Sequence, residues 1–305
     1  MHSPERLKGI GAFVAVAEAG SFAAAADRLH LTGSAVGKAI ARLESRLGTR
    51  LFERTTRRLE LTDAGTAFLR VCTRVLSELE EAEHVLAHEG DEPTGRLRID
   101  LPVTFGRLKV MPRMLPFLHR HPGLQAVISF TDRFVDVVDE GIDVGVRIGG
   151  PDQWPATLAH TYLGHERKVF CASPSYLAAH GTPCSLDALA PHAAIVYAKP
   201  DGTASPWLIR HGDGPLERHV PEARLVLASA EAQVDAAASG FGITQLPTWL
   251  IGDHLTDGRL VAVLPQHDTA GLPMHVVWPR ARQWLPKVSA LVAYLGDELA
   301  GTIAP

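Results

Sequence analysis

The chain has 305 residues, 46% of them hydrophobic and 21% charged, an ordinary globular composition with room for more than one compact unit. No apolar run reaches the ~18 residues that span a bilayer. The first residues show no small-residue cleavage site, and Cys72, Cys171 and Cys184 are too few and too scattered for a disulfide framework or a metal spacing. A cytoplasmic protein is the expectation, and secreted or membrane classes are not.

The net charge of −4 is uneven, with 10 Lys/Arg against 6 Asp/Glu in residues 1–62 and 20 against 28 in the remainder. A basic head on an acidic body points to an anionic partner for the head.

Residues 5–19 place Leu7, Ile10, Phe13, Val14 and Ala17 at helical spacing. Gly20 ends that helix and Ser21 caps a short Ala-rich one over 22–29. A third helix is expected over 33–47, with Val36, Ile40, Leu43 and Leu47 inward and Gly48 as its stop. "TRLFERTTRRLELT" then reads as a hairpin with an Arg-rich tip. Three helices and a basic hairpin make a winged helix-turn-helix. Thr62 caps a long helix over 63–89, where Ala64, Phe68, Val71, Val75, Leu79, Ala82 and Leu86 form a narrow apolar seam. Such a seam asks for a partner helix, most simply from a second copy. Residues 88–95 read as a linker.

Beyond it, strands at "RLRIDLP", "LQAVISF", "IDVGVRIG", "RKVFCAS", "AAIVYA", "ARLVLAS", "GITQLP" and "MHVVWP" alternate with helices, one of them at 105–119. That pattern argues for parallel α/β sheets.

The stretch "TGSAVGKAI" tests two uses of a Gly-rich turn with a lysine. A nucleotide P-loop needs G-x-x-x-x-G-K-[ST] after a strand. Here Gly33 and Gly37 are too close, Ala39 follows Lys38, and a helix precedes. As the first turn of a helix capped by Thr32, the stretch instead offers backbone N–H groups to phosphate. Ser34, Lys38, Arg42 and Arg46 share the face opposite the apolar one, as a major-groove helix requires. Arg54, Thr55, Thr56, Arg57 and Arg58 add a second basic element in the wing.

The first 65 residues, through "FVAVAEAGSFAAAADRLHLTGSAVGKAIARLESRLGTRLFERTTRRLELTDAG", closely resemble the LysR-type transcriptional regulators. The likeness continues through "SFTDRFVDVVDEGIDVGVRIGG", "VFCASPSYLAAHGTP", "AASGFGITQLP" and "GRLVAVLP". Gly37 departs from the small polar residue common there, and Gly33-Ser34 replaces a frequent Gln-Pro pair. The resemblance implies a winged helix-turn-helix over 1–62, a linker and dimerisation helix over 63–92, and an effector domain over 93–305. That domain would have the two-lobed α/β fold of periplasmic binding proteins, with crossing strands between lobe one (93–164 and 266–305) and lobe two (165–265).

By the same resemblance, Thr32, Ser34, Lys38, Arg42, Arg54, Thr55, Arg57 and Arg58 would bind DNA. Thr104, Thr131 and Arg147 would face Tyr197, Ser229 and Gln245 across an effector cleft. The effector would be a small organic acid, held by Thr104 with the nearby helix N–H groups or by a bidentate pair with Arg147. An Asp or Glu partner for Arg147 within its own lobe stays equally open. Trp154, Trp207 and Trp249 are expected in the core or at its rim.

The implied partners are double-stranded promoter DNA, a small-molecule effector, a second copy through the linker helix, further copies in a homotetramer, and RNA polymerase, in a bacterial, nucleoid-associated setting. No membrane, cofactor or metal is implied: His119/His121 and His160/His165 lack zinc spacing. The alternatives are an enzyme carrying a DNA-binding head, for which no nucleophile, base or metal set assembles, and an architectural DNA-binding protein with an inert body.

Overall fold

The computed structural model describes residues 8–54, 59–87, 92–199, 201–211 and 214–303. The chain divides into two compact units, Met1–Gly90 with Asp139–Gly141, and Asp91–Val138 with Ile142–Pro305.

In the first unit, α1 (Ile10–Ala19) starts later than its apolar spacing suggests. Gly9 stands at φ 86, outside the helical region, and a Cβ there would come within 3.3 Å of the Ala39 carbonyl oxygen. Helix α2 (Phe22–Arg28) is capped by Ser21, whose hydroxyl accepts from Ala24 N at 3.2 Å. Helix α3 (Gly33–Leu47) runs from the Thr32 cap to Gly48. Strands β1 (Phe52–Arg54) and β2 (Leu59–Leu61) pair antiparallel, Phe52 opposite Leu61.

The core gathers Phe13, Val16, Ala25, Val36, Ile40, Leu43, Leu51 and Phe52. Leu47, expected inward, is 41% exposed, at the last residue of α3 before the Gly48 cap. Burying a side chain of this kind contributes about 1.5–3 kcal/mol, so α3 is held by Val36, Ile40 and Leu43.

Helix α4 spans Asp63–Ala87. Thr62 caps it, its hydroxyl accepting from Gly65 N at 2.9 Å and donating to the Arg50 carbonyl at 2.9 Å. A Cβ on Gly65 would meet the Leu51 carbonyl oxygen at 2.1 Å, so only glycine lets α4 lie this close to the wing. The single expected seam is two stripes. Phe68 turns into the head core with Leu69, Cys72 and Leu76, whereas Val71 (45%) and Leu79 (42%) stay exposed. Ala64 is exposed too, and the side chains of Ala82 and Leu86 lie outside the described residues.

The second unit is built on a seven-stranded sheet in the order β11 (Thr244–Pro247), β6 (Leu158–Ala172), β13 (Thr269–Pro279), β5 (Val144–Ile148), β3 (Gly95–Leu101), β4 (Leu124–Phe130), with β12 (Val261–Val263) also on β6. Strands β3 (Gly95–Leu101), β4 (Leu124–Phe130) and β5 (Val144–Ile148) are parallel, as the strand–helix alternation predicts. The sheet is mixed, however, because β6 (Leu158–Ala172) and β13 (Thr269–Pro279) are long, antiparallel to each other and shared by both halves. On one half, Leu97, Ile99, Val144, Val146 and Met274 pack under two helical layers. One layer is a continuous segment of α5 (Val103–Phe105), a π-helical turn (Gly106–Val110) and α6 (Met111–Arg120); the other is α10 (Pro286–Ile303).

On the other half, alternate residues of β6 feed two cores, Phe170 and Ala172 one, Val169 and Cys171 the other. Around it stand α7 (Pro174–His180), β7 (Ala194–Tyr197), β10 (Ala223–Leu227), α8 (Ala230–Ala238), β11 (Thr244–Pro247), α9 (Thr248–Thr256) and β12 (Val261–Val263). Strand β10 is parallel to β7. A separate hairpin, β8 (Trp207–Arg210) with β9 (Leu216–His219), completes this second lobe.

Candidate DNA-contacting helix and effector cavity

Helix α3 presents one open face. Thr32, Ser34, Lys38 and Arg42 are exposed along it. The Thr32 hydroxyl accepts from Ala35 N at 3.2 Å and lies 3.1 Å from the Ser34 hydroxyl. Both hydroxyls and the first free N–H groups therefore sit at the positive end of the helix dipole, where an anion is favoured. Arg46 is partly engaged, donating to the Lys8 carbonyl at 3.2 Å. Among the described residues, nothing beyond the helix's own backbone and the adjoining residues lies within 4 Å of a Cβ built on Gly37, so no packing demand explains the glycine there.

Sequence reasoning missed how the wing is moored. Glu44, on α3, accepts from Leu51 N at 2.8 Å and Phe52 N at 3.2 Å, which fixes the start of β1 against the helix. Arg54 ends β1 with its side chain outside the described residues, as are Thr55, Thr56, Arg57 and Arg58.

In the second unit a cavity of about 570 Å³ opens between the two halves of the long sheet. Thr104, Thr131, Arg147, Tyr197 and Gln245 all line it, from β7, β11 and the ends of the first-lobe strands. Ser229 does not: its hydroxyl caps α8, accepting from Ala232 N at 3.3 Å, and Ala230 lines the cavity instead.

The comparisons with known proteins now bear on both parts. Residues 7–66 match the family model described as "Bacterial regulatory helix-turn-helix protein, lysR family", and residues 90–300 match the "LysR substrate binding domain". The chain is a LysR-type transcriptional regulator.

Among its relatives, the HTH-type transcriptional regulator YhjC of Escherichia coli is 32% identical over 95% of this chain and 97% of its own length. The E. coli regulator PgrR is 32% identical over 91% and 93%. The solved structure of CrgA, a LysR-type regulator from Neisseria meningitidis, superposes with a TM-score of 0.60 at 28% identity, covering 98% of this chain and 99% of that one.

In this LysR-type regulator the polar cavity residues are largely spoken for. Arg147 is 4% exposed and donates from Nη1 to Asp100 Oδ2 at 2.7 Å and to the Val146 carbonyl at 3.0 Å. Its charge is thus matched by an acidic partner in its own lobe, one of the two readings that the sequence leaves open for it. Asp100 is itself held by the Ser129 hydroxyl at 2.5 Å.

The helix N-terminus beside Thr104 is occupied as well. Val103 N donates to Asp132 Oδ1 at 2.9 Å, so a carboxylate of the protein takes the place proposed for that of a ligand. The other oxygen of Asp132 accepts from the Tyr197 hydroxyl at 3.0 Å, a bond that ties one lobe to the other. Burial, then the Asp132 charge and that hydrogen bond, push the Tyr197 phenol up to about 12, so it remains a donor at neutral pH. Arg107 of the π-turn and Glu231 of α8 form an ion pair, a second link across the lobes.

Gln245 lines the cavity, and both ends of its amide are engaged. Its Nε2 donates to the Leu208 carbonyl at 2.7 Å and its Oε1 accepts from Leu208 N at 2.8 Å, holding the β8–β9 hairpin to β11. The Thr131 hydroxyl accepts from Arg133 N at 3.2 Å.

Trp207 lies in the second-lobe core with Phe170 and Ile209, and Trp249 packs on the rim of the first-lobe core, as expected; both also line the cavity. Trp249 meets Phe105 edge-on with ring centres 5.0 Å apart and donates to Glu166 Oε1 at 3.0 Å. Trp154 packs in a small core, with Val137, Ile142, Leu158 and Val277. Asp132, Arg133, Glu166, Lys168, Lys199, Ser205 and Gln233 are further polar lining residues and carry no sequence signal of their own. Among the described residues no helix is long and apolar enough to cross a membrane, and no group of three His, Cys, Asp or Glu is placed to hold a metal ion.

Proposed function

We propose that this LysR-type regulator reads a promoter through α3 and the wing, under control of a small organic acid bound in the cavity. In this reading residues 1–62 bind DNA, 63–92 link and dimerise, and 93–305 take the effector between lobes 93–164 with 266–305 and 165–265. Thr32, Ser34, Lys38 and Arg42 meet the major groove and its phosphates, and Arg54, Thr55, Arg57 and Arg58 the flanking backbone. The observation that carries the reading is the exposed cationic face of α3 in a chain whose other unit encloses a ligand-sized cavity.

An acid is supported by Arg133, Lys168 and Lys199 around that cavity. The exposed Val71 and Leu79 support pairing of α4 with a second copy, and two such dimers assemble as a tetramer. RNA polymerase is the downstream partner, and the nucleoid in the cytoplasm the place of action. The Asp132–Tyr197 and Arg107–Glu231 links are the contacts a ligand would have to favour or oppose, since it can shift the lobes only by binding one arrangement better.

The test is a thermal-shift screen of organic acids on the full chain, with every hit carried into promoter-binding assays. The reading expects an acid that raises the melting temperature and changes promoter affinity. A complete screen in which no acid does either removes it.

A further inference from the structure

Two hydrogen-bond donors in the cavity wall have no acceptor among the described residues. Arg147 Nη2 and Trp207 Nε1 are buried without a hydrogen-bond partner, and each residue is only 4% exposed. Both residues line the cavity, Arg147 from β5 of one lobe and Trp207 from β8 of the other. Buried polar groups in folded proteins are nearly always paired, so an orphaned donor calls for an explanation. Two in one cavity, one from each lobe, are explained together by a ligand that brings acceptors to both.

The charges around the cavity limit what that ligand carries. Arg133, Arg147, Lys168 and Lys199 line it, as do Asp132 and Glu166. With the charge of Arg147 matched by Asp100 at 2.7 Å, the site holds a formal excess of one positive charge. A monoanion neutralises that excess, whereas a dianion leaves one charge unmatched by the lining. The apolar part of the wall holds the Phe105–Trp249 pair, Phe134, Leu246 and Leu272. A flat ring fits beside such a pair by edge or offset contact.

We infer that the effector is an aromatic monocarboxylic acid whose acceptor oxygens engage Arg147 Nη2 on one lobe and Trp207 Nε1 on the other. The inference rests on the reading of this cavity as the effector site. It makes Trp207 a specificity residue. Because Gln245 holds Leu208 at both backbone atoms, a bond to Trp207 also reaches the β8–β9 hairpin.

The test is calorimetric titration of the full chain with benzoate, phenylacetate and indole-3-acetate, and with their amides. Phthalate, phenylmalonate and acetate complete the panel. At least one aromatic monoacid binds, and its amide, the aromatic diacids and acetate bind about tenfold weaker or less. Trp207→Phe keeps the ring and removes the N–H, and it weakens the monoacid by about fivefold. Asp100→Asn frees the Arg147 charge and moves the preference towards phthalate or phenylmalonate.

Equal or tighter binding of a diacid or an amide to the native chain overturns the inference, as does unchanged affinity in Trp207→Phe or silence across the panel. A diacid that binds best and also alters promoter affinity overturns this inference while leaving the effector reading intact. The broader acid screen decides that reading separately.

Discussion

Arg147 and Asp100, 47 positions apart, form a buried ion pair at 2.7 Å in the wall of the cavity. Removing one partner leaves the other charge buried and uncompensated, which typically costs about 3–5 kcal/mol. Asp100→Ala is therefore expected to lower unfolding stability by roughly that amount. The double replacement Asp100→Leu with Arg147→Met is expected to cost less than the single change. Urea denaturation of the purified variants checks the order, and a double variant weaker than the single one would reject the pairing argument.

Gln245 is expected to act on stability ahead of any direct contact with a ligand. Its amide satisfies both backbone groups of Leu208 at 2.8 and 2.7 Å. Gln245→Leu takes the partner from the buried Leu208 N–H, at about 1–3 kcal/mol, and leaves its carbonyl only the Thr269 hydroxyl at 3.5 Å. Loss of protection at the Leu208 amide, read by hydrogen exchange, reports the release of the hairpin directly. Full protection in that variant would mean that the hairpin is held by something else.

Stability should fall on mild acidification through His275. Burial first, and then the neighbouring His160 and His165, lower its pKa below the ordinary histidine value. The ring is 9% exposed, its Nδ1 lacks a partner, and His160, Tyr162 and Trp154 stand around it, with Arg147 opposite on β5. A base whose pKa is depressed in the fold takes up its proton more readily when unfolded. Its contribution is therefore complete above about pH 6.5 and is lost as pH drops towards the folded value. Melting temperatures measured from pH 7.5 to 5 are expected to decline less in His275→Gln than in the native chain. Parallel declines would show that His275 is not the group responsible.

The three thiols should differ sharply in reactivity. Burial pushes Cys72 up to about 11 and Cys171 up to about 12, whereas Cys184 is exposed. The thiolate is the reacting form, so iodoacetamide at neutral pH is expected to label Cys184 alone until the chain is unfolded. Mass spectrometry of the labelled peptides gives the answer, and prompt native labelling of Cys171 would contradict the burial.

The head was legible because its signals are local. Thr32 and Gly48 mark both ends of α3, and Ser21 and Thr62 cap as their residue types suggest. The seam of α4 was misread because Phe68 and Leu69, adjacent in sequence, both pack on the head, so two stripes overlap within one period. The first part of β6 escaped notice because only Leu158 and Leu163 are buried between Leu158 and His165 in "LAHTYLGH". The cavity residues were placed by family resemblance, but their partners were not. Asp100 lies 47 positions from Arg147, Asp132 lies 65 from Tyr197, and Leu208 lies 37 from Gln245. Only the folded sheet brings those groups together, and they decide which donors remain for a ligand.

The central claim is that the open face of α3 grips duplex DNA through its phosphates as well as its bases. Fluorescence anisotropy of the full chain on a promoter fragment, repeated over a range of salt concentrations, tests it most directly. Lys38→Ala should weaken binding to every fragment and reduce the salt slope of log affinity by about one. An unchanged slope with unchanged affinity would contradict the contact and the orientation of the helix that it implies.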